Sequence, residues 1–190
     1  MRVLVGCEES GKVRDAFAAR GHDAWSNDII PARNGGKHLQ MDVEDAIKLY
    51  RWDIIIMHPP CTALSLSGNR WYGKNMPLYY KRAQSIDWTM KLWFQAKENS
   101  AVGCALENPT SVIWQHIGLP QYIHPWQFGH GEQKKTGILV DRLPPLKPTN
   151  IVEGREQRVW KMAPGPNRKR DRSETYQGIA DAMAEQWGTE

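Results

Sequence analysis

The sequence predicts an α/β domain built on a mostly parallel sheet with helices on both faces. Three observations predict it. The apolar runs Val3-Leu4-Val5, Ile54-Ile55-Ile56 and Ala101 to Leu106 are continuous rather than alternating. That pattern suits strands covered on both sides. These runs are separated by stretches with helical spacing, as βα units require. The chemistry-bearing residues Gly6, Glu8, Asp28, Asp42, Cys61 and Glu107 fall at or just beyond strand ends. A parallel sheet gathers such residues along the edge where α/β proteins bind ligands.

In chain order, residues 2–6 read as a first strand, and Cys7 to Gly11 as a polar, glycine-bounded turn. Residues 12–20 read as a helix with Val13, Ala16 and Phe17 on one face and Gly21 as its stop. A second strand, 23–28, ends at Asp28. Strand, glycine turn, helix, then a strand with a terminal acid is the opening of a nucleotide-type βαβ unit. The spacing from Gly6 to Gly11 is not Gly-x-Gly-x-x-Gly, so a tight turn with a helix cap accounts for it equally well. Residues 31–36 form a loop. Asp42 precedes a short helix, 43–50, and either caps it or contacts a ligand amine.

The run Asp53 to Cys61 reads as a buried strand stopped by Pro59 and Pro60, which cannot donate to a ladder. It presents Cys61 on a stiff loop at the ligand edge, as a candidate nucleophile. Residues 62–76, with Arg70 and Trp71, form a loop long enough to serve as a lid. A helix over 77–98 is expected to turn Tyr79, Ala83, Ile86, Met90 and Trp93 toward the core. A strand over 101–106 leads into Glu107, either a solvated acid starting a helix over 110–117 or a functional carboxyl group. Short strands follow at 122–126 and 136–140. A Pro-, Arg- and Lys-rich segment, 143–173, reads as extended and surface-lying. A last helix, 174–187, docks through Tyr176, Ile179, Ala180, Met183 and Trp187.

The bulk properties bound the function. The chain has 190 residues, enough for one domain over 1–190 with a real core. No apolar run approaches a membrane span and no signal-peptide pattern opens the chain, so a cytoplasmic protein is expected. Three scattered cysteines, Cys7, Cys61 and Cys104, suggest a reducing compartment rather than a disulfide framework. No zinc-type spacing occurs, so no metal is expected. The formal net charge is +4, and cations crowd the stretch 155–172. That charge suits a polyanionic partner.

The strand-end residues, taken in order, resemble the cytosine carbon-5 methyltransferases that use S-adenosylmethionine. The Pro-Cys motif resembles Pro59-Pro60-Cys61-Thr62-Ala63-Leu64-Ser65, and the Glu-Asn-Val motif resembles Glu107-Asn108-Pro109. The cofactor turn is similar to Gly6 to Gly11, and the ribose-holding acid to Asp28. The Gln-x-Arg-x-Arg motif is similar to Gln133-Lys134-Lys135-Thr136-Gly137, with Lys135 and Gly137 at the arginine positions. The Ile-Gly-Asn-Ala-Val helix start resembles Ile179 to Met183.

The resemblance implies a Rossmann-like methyltransferase fold. It implies transfer of a methyl group from S-adenosylmethionine to carbon 5 of cytosine in DNA, through a covalent adduct. Cys61 would add to carbon 6, Glu107 would act at ring nitrogen 3 with its pKa raised by burial, and Lys135 would hold the ring oxygen. The cofactor would lie on Gly6, Cys7, Glu8, Ser10 and Gly11, with Asp28 and Ile29 beside it. Asp42, Pro59 and Asp181 would complete that pocket. The partner is expected to be duplex DNA with its target base flipped out. Ser65, Arg70 and Trp71 would meet the flipped strand, and Arg155, Arg158, Lys161, Arg168, Lys169 and Arg170 its phosphates. Segment 143–173 stands where the family carries a recognition domain, a form expected of a compact, phage-type genome and the bacterial or infected-cell cytoplasm. Two rival readings remain: the same chemistry on RNA or free cytosine nucleotides, and a non-catalytic DNA-binding homologue. Methylation of an exocyclic amine is disfavoured, because Cys61 stands where those enzymes place an aromatic ring after Pro-Pro.

Overall fold

A computed structural model of the chain describes residues 1–166 and 168–189. The side chain of Lys169, expected above to meet phosphates, lies outside the described residues.

Seven strands form one sheet: β1 (Arg2–Gly6), β2 (Asp23–Asp28), β3 (His38–Gln40), β4 (Trp52–Met57), β5 (Ser100–Pro109), β6 (Gln121–Ile123) and β7 (Thr136–Asp141). Their order is β3-β2-β1-β4-β5-β7-β6. All pairs from β3 to β5 are parallel, while β7 runs antiparallel to both β5 and β6. The strand order reverses between β1 and β4, the switch point where a crevice opens.

The helices are α1 (Lys12–Ala18), α2 (Val43–Leu49), α3 (Asn69–Tyr72), α4 (Tyr79–Asn99), α5 (Trp114–Ile117), α6 (Arg158–Lys161), α7 (Arg168–Ser173) and α8 (Gln177–Trp187). Val3, Val5, Ile54 and Ile56 face α1 and α8. Leu4, Ile55 and Met57 face α2, α4 and α5. This two-sided burial is why the strands carry unbroken apolar runs. The fold is therefore the expected α/β, Rossmann-like one. No helix among the described residues is long and apolar enough to cross a membrane.

Several local expectations shift. β5 continues to Pro109, so Glu107 and Asn108 sit in the ladder opposite Ile138 and Gly137 rather than in a loop. The antiparallel β7 supplies the partner that extends it. The helix expected over 110–117 is confined to α5, because residues 110–112 bond instead to the loop after Cys61. The strand expected over 122–126 ends at Ile123, since Pro125 opens a 3-10 turn over 125–127.

On α4, Tyr79 and Ala83 are exposed, and the buried residues are Arg82, Thr89, Leu92, Trp93 and Ala96. A stripe read from apolar residues alone misses a helix whose first half buries an arginine. The loop 62–76 contains a 3-10 turn and α3, and segment 143–173 contains α6 and α7 and buries Leu143, Leu146 and Val159. The final helix begins at Gln177, and all five of its expected docking residues are buried.

Candidate active site

β1 ends at Gly6, and Cys7 then turns the chain with φ of 59°, in the left-handed region. The turn sends Glu8 beneath α1. Its carboxylate accepts from the backbone N–H of Val13 (2.7 Å) and Arg14 (3.3 Å), and from Ser10 Oγ (3.2 Å). An anion there satisfies orphan donors at the helix start. Burial raises the Glu8 pKa, with His58 and the three donors pulling against it. Glu8 and Ser10, expected at the cofactor, are thus bound to the turn itself.

The glycines are explained by packing. A Cβ on Gly6 would stand 2.8 Å from Val43 Cγ2, and one on Gly11, with φ of 72°, would collide with the buried Arg14 guanidinium. Of the two readings open for this turn, the structure displays the tight turn with a cap.

Two acids at this edge, Asp28 and Asp42, keep carboxylate oxygens open to a ligand. Burial first, then the Asp28 and Asp42 carboxylates, push the Cys7 thiol up to about 12. Both acids therefore gather at the end of β1. Asp28 Oδ1 accepts from Ile30 N at 3.2 Å, and Asp42 Oδ1 accepts from Glu44 N at 2.8 Å, capping α2. Among the described residues neither acid forms an ion pair. Ile29 beside them is 72% exposed. Two unpaired acids with an apolar neighbour suit a ligand with hydroxyls, an amine, a positive charge and a flat ring. Asp181 lies on α8 and is engaged by Gln177 Nε2 at 2.9 Å.

The Cys61 loop is pinned from three sides. Pro59 is buried and its carbonyl accepts from Asn108 Nδ2 at 3.0 Å, which ties the loop to β5. Cys61 O accepts from the N–H groups of Leu64 and Ser65, and Ser111 Oγ donates to Leu64 O. Arg82, 5% exposed, donates to Ala63 O (2.7 Å), Ser65 O (3.1 Å) and Asn69 Oδ1 (2.7 Å). Arg82→Ala strands these acceptors, two of them backbone carbonyls, and removes one of the three anchors of the loop. We expect a loss of about 2–4 kcal/mol in denaturant unfolding, from a charged donor lost to several buried acceptors. Amide exchange at Leu64 and Ser65 should accelerate; unchanged protection there would remove Arg82 from the role of anchor.

Glu107 and His58 meet on the α8 side of the sheet. Period-two alternation places His58 with Ile54 and Ile56, and Glu107 with Ala105, all on one face. His58 Nδ1 lies 3.4 Å from Glu107 Oε2, with side-chain exposures of 10% and 17%. Burial raises the Glu107 pKa, but the His58 hydrogen bond and charge, together with Lys134, hold it below the usual carboxylate range. The expectation of a Glu107 raised by burial is overturned, because the His58 hydrogen bond and the neighbouring charges outweigh burial. His58 Nε2 is buried with no partner among the described residues.

The lysine in this site is Lys134, not Lys135. Lys134 Nζ donates to Glu174 O at 3.1 Å, and its charge acts on both Glu107 and Cys61. Burial lowers the Lys134 pKa, with Glu107, Cys61 and Glu174 opposing and Arg172 assisting. Lys135 lies instead over the Tyr122 ring, with Nζ 4.2 Å from its centroid. The reason is register. Glu107 pairs with Ile138, so even-numbered residues of β7 share its face, and stepping back by twos reaches Lys134. Motif spacing selected the odd-numbered residue.

The Cys61 thiol is raised by burial and by Glu107, while Lys134 and Arg172 lower it. Arg172 comes from α7, so the basic segment folds back over the site. His58, Lys134 and Arg172 are the residues that motif reading left out. Sheet alternation finds the first two; nothing local marks Arg172.

The residues expected to meet nucleic acid scatter. Ser65 Oγ pairs with Ser67 Oγ at 2.9 Å. Arg70 lies 5.3 Å from the centroid of Trp71, which is 55% exposed. Arg158 is taken by Glu132 at 2.8 Å and Arg170 by Asp171 at 3.1 Å. Arg168 Nε donates to Met162 O, and Lys161 is exposed on α6. Arg155 stacks on Trp126, 3.8 Å from its centroid. The continuous phosphate-facing strip expected over 155–172 is interrupted, because Glu132 takes Arg158, Asp171 takes Arg170 and a backbone carbonyl takes Arg168.

No protein-family model matches the sequence, and no curated protein is similar to it. Solved structures do share the fold. An E. coli prophage protein described as a DNA modification methyltransferase superposes with a TM-score of 0.56 at 15% identity, over 86% of this chain and 55% of its own. The Entamoeba histolytica methyltransferase EhMeth gives 0.52 at 17% identity, over 83% of this chain and 57% of its own. The chain spans little more than half the length of these proteins. Their shared architecture is a methyltransferase fold.

Proposed function

We propose that the chain transfers a methyl group from S-adenosylmethionine to carbon 5 of cytosine in DNA, as a single domain over 1–190. The observation that carries this reading is the convergence of Cys61, Glu107 and Lys134 at the sheet edge that also carries Asp28 and Asp42 at the end of β1. Asp28 would accept from ribose hydroxyls, Asp42 from the adenine amine, and Ile29 would cover the adenine ring. The cofactor supplies an electrophilic methyl carbon on a sulfonium.

Carbon 5 of cytosine is too weak a nucleophile to take that methyl group unaided. Cys61, whose thiol burial and Glu107 hold up while Lys134 and Arg172 pull it back toward thiolate, adds to carbon 6. The Glu107 carboxylate accepts from the exocyclic amine, and the proton shared along Glu107 and His58 passes to ring nitrogen 3. Carbon 5 becomes an enamine carbon and bonds to the methyl group as the sulfonium bond breaks. Loss of the carbon-5 proton to water then expels the thiolate, and the nitrogen 3 proton returns to the pair. Within a duplex the base must leave the stack, and Trp71, on the loop that follows Cys61, would fill the gap.

The test offers labelled S-adenosylmethionine with duplex DNA, single-stranded DNA, RNA and free cytidine nucleotides. Nucleoside digestion should return 5-methylcytosine from DNA. Label on the exocyclic nitrogen, or only in the free nucleotide, overturns the proposal. For the cofactor pocket, Asp28→Ala should weaken binding by about 1–3 kcal/mol, the cost of an unpaired buried partner. Calorimetry showing wild-type affinity would move the pocket elsewhere.

A further inference from the structure

Lys135 is displaced from the expected site into a second cluster, which lies on the same edge of the sheet. β6 and β7 pair with Ile123 opposite Thr136, so His124 and Lys135 meet just beyond the ladder. β5 also ends there, with Pro109 opposite Thr136. The cluster is therefore three strand spacings from β4, about 14 Å from the strand that leads to Cys61.

Two ring–cation pairs make up this margin. Lys135 Nζ lies 4.2 Å from the centroid of Tyr122, whose ring points away from the core between Gln121 and the buried Ile123. Arg155 Cζ lies 3.8 Å from the centroid of Trp126, and the His124 ring stacks on the same indole at 6.2 Å. Lys135 and Arg155 are both exposed. His124 lies between them. Burial lowers its pKa first, and then Lys135 and Arg155, and both of these charges are positive. The nearby Glu132 is engaged by Arg158 and Tyr176. Among the described residues neither Lys135 nor Arg155 forms an ion pair, so the margin presents two rings with positive charge beside them.

The geometry points to this β6–β7 margin as a stacking site for unpaired nucleotides that flank the target base, with bases on Tyr122 and Trp126 and phosphates on Lys135 and Arg155. The inference rests on the polynucleotide substrate argued above and deepens it. Rings with interleaved cations hold single strands without reading sequence, because every base has a stackable face. A duplex buries those faces in its own stack. Flanking bases held here would keep the strand open beside the cytosine at Cys61, a task that would otherwise fall to a separate recognition domain.

The test is fluorescence anisotropy with the full chain and a labelled mixed-sequence DNA 12-mer, single-stranded or annealed, with an RNA 12-mer as a third arm. Single strands should bind more tightly than the blunt duplex. Tyr122→Leu and Trp126→Leu should each weaken single-strand binding about tenfold. Lys135→Ala, a surface change that spares the fold, should flatten the salt dependence by about one counterion. Bound oligonucleotide should also raise the His124 pKa followed by proton NMR, because phosphate offsets the two cations beside it.

A ring variant that binds like wild type, a His124 titration indifferent to oligonucleotide, or tighter binding of duplex each overturns the stacking site while leaving the methylated product intact. A wild-type chain that binds no oligonucleotide and methylates only free nucleotides overturns the polynucleotide reading as well. A preference for the RNA arm keeps the stacking site and changes the sugar of the strand it takes.

Discussion

Cys61→Ser should abolish methyl transfer while leaving S-adenosylmethionine affinity within a few fold of wild type. A serine hydroxyl in the same place does not ionise at working pH, so nothing adds to carbon 6 and carbon 5 remains inert. We expect a fall of at least about 10³-fold in single-turnover rate, equivalent to roughly 4 kcal/mol of barrier. The substitution removes little that the fold uses. The loop is held through the Cys61 carbonyl, the Asn108 bond to Pro59 and the Arg82 fork, none of which involves the thiol. Asp28 and Asp42, the acids proposed to hold the cofactor, lie at the ends of β2 and β3, across β1 from this loop. Rapid-quench measurement of labelled methyl incorporation, paired with calorimetry, separates the two effects. Wild-type turnover by Cys61→Ser would end the nucleophile assignment. A parallel loss of cofactor binding would mean that the variant is misfolded, which thermal melts and the far-ultraviolet spectrum of Cys61→Ser would expose independently.

The parts of this design that were legible in the sequence are those that depend on one chain segment at a time. Ile54-Ile55-Ile56 declares a two-sided buried strand, and Pro59-Pro60 declares its end. Val13, Ala16 and Phe17 declare a helix face, and all three are buried. The failures depend on two segments at once. Glu107 was expected beyond its strand because nothing local announces that β7 will return antiparallel and extend the ladder to Pro109. Its ionisation was misread for the same reason. Burial alone raises a carboxyl group, but the sign is decided by His58, forty-nine positions away in sequence. Arg82 broke the α4 stripe because its buried guanidinium serves three acceptors on another loop. Glu8 reads from the sequence as a ligand contact, and its carboxylate also bonds the start of α1, two roles that ask for the same charge at the same turn.

The exchange of Lys135 for Lys134 gives the second large effect. Lys134→Ala should slow methyl transfer by about 10²–10³-fold, the usual consequence of deleting one preorganised electrostatic donor. Glu107→Gln should slow it by about 10²–10⁴-fold, since an amide cannot pass a proton to ring nitrogen 3. These two losses share a sign, and general damage to the site would give the same pair. Their effects on the free thiol differ in sign. Glu107 raises the Cys61 pKa and Lys134 lowers it. In Glu107→Gln, Cys61 should therefore alkylate faster with iodoacetamide at pH 7–8, and its rate–pH curve should move to lower pH. In Lys134→Ala it should alkylate more slowly, and the curve should move up. Lys135→Ala should leave the curve in place, because that ammonium lies over Tyr122 on the other face of the sheet. Peptide mapping assigns the modified residue and sets aside Cys7, whose thiol is held up at about 12 by Asp28 and Asp42 after burial. A damaged site would speed or slow both variants together. A curve that follows Lys135 and ignores Lys134 would return the assignment to motif spacing and reject the strand register.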